Sequence, residues 1–220
     1  MQKKKYVIIS IITFACLAMG VIDAIIMPGY IIKSISKVVL FLSLALSYFA
    51  LSKETNMLKR ILKPNKRGLL ISFGLGFSLL ILMLGLFFIC RNIFDFSHFA
   101  TNIRDSAGVN KDNFLVVTIY ICLINSFLEE FFFRGFAFLT LKNFTSRKTS
   151  YVVSAMFFAL YHVAMMIGGS TIILMLSLIG LFGGGLIFNF INEKYNNIYM
   201  SWIVHVFANI ALNTVGYILM

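Results

Sequence analysis

Acidic residues are scarce in this chain, with 8 Asp and Glu against 19 Lys and Arg and a formal net charge of +11. Proline is scarcer still, at 2 residues, which leaves few of the helix breaks expected at a midplane transport site. The 3 cysteines, Cys16, Cys90 and Cys122, stand singly in or at the end of apolar stretches. Without paired spacing they form neither a zinc site nor a disulfide framework, and they read as small core residues. No Gly-x-Ser-x-Gly elbow and no His-Glu-x-x-His helix occurs, which removes those serine-hydrolase and metalloprotease patterns. There is no internal repeat and no low-complexity linker to mark a second domain. The basic excess would suggest nucleic acid if it formed one exposed patch, but it is scattered in short clusters between apolar runs.

Apolar residues fill the space the others leave. Hydrophobic side chains make up 60% of the 220 residues, 24 of them Phe, with a mean hydropathy of +0.93. Soluble domains hold about 45–50% apolar residues, so the composition is that of an integral membrane protein. Runs of the length a hydrocarbon layer requires can be drawn at 6–27, 34–51, 69–90, 114–141, 150–167, 170–191 and 197–219. The expected fold is an all-α polytopic bundle of about seven transmembrane helices in a single domain, 1–220. It becomes eight if 114–141 splits, because 28 residues would measure about 42 Å against a core of about 30 Å. That segment must tilt, break or run into the interface. Lys3, Lys4 and Lys5 precede an apolar stretch longer than a signal-peptide core, so an uncleaved first span is expected.

Lys and Arg gather on alternate connections, 13 against 5, the smaller group being Lys33, Lys37, Arg91, Arg104 and Lys111. By the positive-inside rule the N-terminus is cytoplasmic and the C-terminus outside. The expected location is a bacterial plasma membrane, with lipid as surroundings and no nucleic-acid partner. Gly180 and Gly184, with Gly183 and Gly185 beside them, fit a small-xxx-small pattern that lets a helix approach its neighbour closely. Phe131, Phe132 and Phe133 read as packing and lipid-facing bulk, Asp23 as a residue near the outer boundary and His98 as solvated.

Glu129, Glu130 and Arg134 lie inside the run from Phe114 to Leu141. An ionisable group at bilayer depth costs at least about 2.5 kcal/mol, so these mark the place to look for function. Counting from the cytoplasmic ends, Glu129, His162 and Asn209 each lie about 18 Å up their helices and His205 about 12 Å. His205 and Asn209 are i and i+4 and share a face. Glu129 and Glu130 are about 100° apart and are expected to face different ways. Glu130 and Arg134, at i and i+4, are expected to neutralise each other, leaving Glu129 without a local cation and facing the interior. A buried carboxylate can take a proton from water and return it later, imidazoles can hold that water or a metal, and an amide can donate to an oxyanion.

These residues fall in three motifs. Glu129-Glu130-Phe131-Phe132-Phe133-Arg134 is an EExxxR, Phe158 to His162 an FxxxH and His205 to Asn209 an HxxxN. In this order, on successive helices, they resemble the CPBP family of intramembrane proteases, which takes in the type II CAAX prenyl endopeptidases (Rce1-like) and bacterial Abi proteins linked to bacteriocin immunity. The likeness covers about Phe114 to Leu212, an expected protease core at 114–212. It implies that Glu129 and His162 activate the attacking water while His205 and Asn209 stabilise the oxyanion, with Phe158 walling the pocket. It leaves a zinc ion open, with Glu129, His162 and His205 as the ligands and the protein then a metalloprotease. The compact chain looks more like the bacterial branch, so the expected substrates are hydrophobic or lipidated membrane peptides, in bacteriocin processing or self-immunity. A non-catalytic immunity or scaffold protein on the same fold is the alternative, and a proton-coupled transporter ranks last.

Overall fold

A computed structural model describes residues 2–93, 112–166 and 170–219, and every regular element among them is a helix. The helices are α1 (Gln2–Ile26), α2 (Tyr30–Leu51), α3 (Thr55–Ile61), α4 (Lys66–Cys90), α5 (Phe114–Asn143), α6 (Arg147–Tyr161), α7 (Val163–Met166), α8 (Thr171–Tyr195) and α9 (Tyr199–Ile218). Six of them, α1, α2, α4, α5, α8 and α9, are long and apolar enough to cross a membrane. The protein is a polytopic helical bundle. Most of the connection at 92–113, with His98 and Arg104, lies outside the described residues.

The sequence indicates one helix over the span at 150–167, and the structure divides it into α6 and α7 at His162. Ser146 caps α6 by accepting from the Thr149 N–H at 3.0 Å, and the helix ends 15 residues later at Tyr161. At about 22 Å it is shorter than the hydrocarbon core. The stop is local chemistry. The Phe158 carbonyl, which the His162 N–H would reach in a continuing helix, takes the His162 side chain instead, with Nδ1 at 2.7 Å, while the backbone N–H turns to Ala159 O at 3.1 Å.

Helix α5 runs unbroken for 30 residues, so the segment does not split. Turns closed by i to i−5 hydrogen bonds occupy Tyr120–Asn125 and Glu130–Thr140; Ser126 N–H, for example, reaches Ile121 O. Wider turns place more residues in each turn and shorten the helix without tilt or break. Such winding collects at functional positions.

All eleven residues of Glu130–Thr140 are buried, because neighbouring helices cover this half of α5. Phe131, Phe132 and Phe133 are therefore core residues and none faces lipid. Phe132 stacks on Phe41 of α2 at 4.2 Å between ring centroids, and Phe133 meets Tyr161 and Phe158 of α6. On α1, Ile8, Ile12, Ala15 and Met19 recur every three or four residues and are buried in the same core.

The expected close approach of α8 falls one residue away from the predicted pair. A Cβ on Gly180, Gly183 or Gly184 would meet nothing within 4 Å, whereas one on Gly185 would lie 3.0 Å from Cα and Cβ of Ala155 on α6. The i, i+4 pattern starts from Gly180, but the side of α8 that turns to α6 carries Gly185, together with the buried Asn189.

Candidate active site

Helix α2 begins at Tyr30, so Lys33 and Lys37 are helical residues and not loop cations. Lys33 lies 3.7 Å from Asp23 of α1. Lys37 is buried, and its Nζ lies 2.5 Å from Glu129 Oε1 and 2.6 Å from Asn125 Oδ1. Asn125, one turn before Glu129 on α5, donates from Nδ2 to the same Oε1 at 3.0 Å. Glu129 therefore has two partners that the sequence reading missed. Spacing of i and i+4 pairs residues along one helix only, and the cation sits 92 residues away. The available signal was a lysine about two helical turns inside α2.

The second oxygen of Glu129 faces the histidines. Oε2 lies 3.8 Å from His162 Nε2 and 3.8 Å from His205 Nε2. Both rings are oriented through their other nitrogen. His162 Nδ1 donates to the Phe158 carbonyl, and His205 Nδ1 lies 2.9 Å from Glu130 Oε1. Since a carbonyl and a carboxylate can only accept, each Nδ1 carries a proton and each Nε2 is turned to Glu129.

Glu130 and Glu129 face different ways, as expected, yet both meet His205, Glu129 at Nε2 and Glu130 at Nδ1. An imidazole has two nitrogens, so glutamates that diverge on one helix can address one ring from two sides. Glu130 pairs with Arg134 as well, Nη1 to Oε1 being 3.4 Å with both side chains fully buried. Its Oε2 accepts from Ser201, which in turn accepts from Asn192 Nδ2 at 2.5 Å. The Arg134 guanidinium packs between aromatic faces, 3.9 Å from the Phe158 ring centroid and 5.1 Å from that of Phe188. None of its nitrogens makes a hydrogen bond among the described residues, so charge and ring contact hold it. Phe158 also meets both histidine rings, edge to face, at 4.8 and 6.0 Å.

Asn209 does not join this contact set. One turn beyond His205 on α9, it donates from Nδ2 to the Ile121 carbonyl of α5 at 3.2 Å, at the end of a widened turn.

The fold and this centre define a class: a multi-pass helical membrane protein with a buried cluster of two glutamates, two histidines and an arginine. Residues 111–211, the stretch carrying the three motifs, match the family model of the type II CAAX prenyl endopeptidases, Rce1-like. That match supports the resemblance to the CPBP family read from the motifs, on its Rce1-like side. No curated protein and no solved structure matches the chain. Lys37, and all of α1 to α4, lie outside the matched stretch.

Proposed function

We propose that the protein is an intramembrane endopeptidase that hydrolyses hydrophobic or lipidated membrane peptides with a water activated by Glu129. The observation that carries this reading is the convergence of Glu129 Oε2 with two oriented imidazole nitrogens, each at 3.8 Å. That spacing is too long for a direct hydrogen bond and sets the three atoms around one point, where a water can meet them. The water gives a proton to Glu129 and is held by His162 Nε2, and its oxygen adds to the scissile carbonyl carbon. His205, oriented by Glu130 through Nδ1, turns Nε2 to the same space and is the residue placed to stabilise the oxyanion. The second amide hydrogen of Asn209 is the other candidate donor. Glu129 then returns the proton to the leaving nitrogen, the C–N bond breaks, and acid and amine products separate.

The mechanism uses no resident metal. Were a zinc ion bound, Glu129, His162 and His205 are the residues that would hold it, and it would polarise the water or the carbonyl as a Lewis acid. Lys37 already supplies positive charge at the Glu129 carboxylate. Cleavage is accordingly expected to persist after exhaustive chelation, and loss restored by added zinc would contradict this part of the reading.

The reading is tested by cleavage of a panel of hydrophobic and lipidated peptides by the purified protein in vesicles. Wild type is expected to cut members of the panel and Glu129→Ala to cut none. Equal cleavage by both would overturn the reading, and protection against a bacteriocin that survives Glu129→Ala would favour a non-catalytic immunity role.

A further inference from the structure

Burying an ammonium in a core of phenylalanines is costly unless its charge and its N–H groups are met. At Lys37 they are. Two N–H groups reach Glu129 Oε1 and Asn125 Oδ1, and the ammonium lies 4.9 Å from the Tyr161 ring centroid and 5.9 Å from that of Phe41. Lys37, Asn125 and Glu129 close a ring of three contacts, of which two end on Oε1. A carboxylate gripped at one oxygen has its other oxygen fixed in direction. Here that direction is toward the two Nε2 atoms.

We infer that Lys37, with Asn125, is a positioning residue of the site: it anchors Oε1 of Glu129 and so presents Oε2 to His162 and His205. The inference rests on the reading of this cluster as a catalytic centre and adds a requirement to it. The site is assembled from α2 as well as from the family-matched stretch. Lys37 does not touch the reacting atoms. Its work is to prevent the Glu129 side chain from rotating away from the space between the imidazoles.

The test uses the full-length protein in lipid nanodiscs and two readouts. The first needs no substrate: nitrogen resonances of ¹⁵N-labelled histidine, assigned with single His substitutions, in wild type and in Lys37→Met, which keeps the apolar stem. Loss of the anchor is expected to shift Nε2 of His162 and His205 while their Nδ1 signals, held by Phe158 and Glu130, stay near the wild-type positions. The second readout is kinetic. Lys37→Met and Asn125→Ala are expected to lower kcat at least tenfold with KM within twofold. A stability control accompanies both: Lys37→Met/Glu129→Gln, which removes both charges together, is expected to melt no lower than Lys37→Met alone. Unchanged Nε2 resonances, or kcat in Lys37→Met equal to wild type, would overturn the inference. Shifted resonances in a protein that cleaves no peptide would sustain the anchoring and overturn the protease reading.

Discussion

Glu129 and Glu130 are adjacent in sequence and meet one imidazole from two sides, yet removing them should have different consequences. Glu129 faces the reaction space, whereas Glu130 orients His205 and receives Ser201 and Arg134. Glu130→Gln should therefore weaken the charged hydrogen bond to His205 by about 1.5–3 kcal/mol, which is about ten- to hundredfold in kcat with KM little changed. Steady-state kinetics checks this. Arg134→Lys keeps the charge but loses the flat cation between Phe158 and Phe188, so it should cost about 2 kcal/mol and lower the melting temperature. An unaltered melting curve would contradict that packing role. Part of this arrangement was legible beforehand. Counting turns put Glu129, His162 and His205 at comparable depth, and i, i+4 spacing paired Glu130 with Arg134. The anchor of Glu129 was not legible, because a depth count along the three motif helices carries no information about the rotation of α2.

Elements explain what single residues do not. The 15-residue α6 brings Phe158 and His162 to α5 and ends where the His162 side chain captures a backbone acceptor. It is held against α8 at Gly185 and Ala155, and Ser154 bridges Phe133 O at 2.8 Å and Asn189 Oδ1 at 3.2 Å. Gly185→Val should push the two helices apart, costing about 1–3 kcal/mol and reducing cleavage through displacement of His162. Gly184→Val, with open space at its Cβ, should leave both stability and activity near wild type. Thermal unfolding and cleavage rates of the two variants make the comparison. Hydropathy located the long helices within a few residues, but polarity misled it at the start of α2. Lys33 and Lys37 looked like the end of a span because their partners, Asp23 and Glu129, belong to other helices.

For the whole molecule, the partition of Lys and Arg between alternate connections, 13 against 5 in the sequence, predicts a cytoplasmic N-terminus. In a background lacking Cys16, Cys90 and Cys122, a cysteine at Lys53 should react with impermeant thiol reagent only from the cytoplasmic side, and one at Asn92 only from the outside. The reverse labelling would invert the topology. Neighbouring helices cover the Glu130–Thr140 part of α5 so that five ionisable side chains meet in protein and not in lipid, with α2 contributing a sixth in Lys37. The central claim is that this enclosed cluster cuts peptide bonds through Glu129. It is tested most directly by the single-turnover cleavage rate of one susceptible peptide in vesicles, for wild type and for Glu129→Gln, which preserves size and removes the base. The account predicts a fall of about 10²–10⁴-fold with the fold intact, and a Glu129→Gln rate equal to wild type would contradict it.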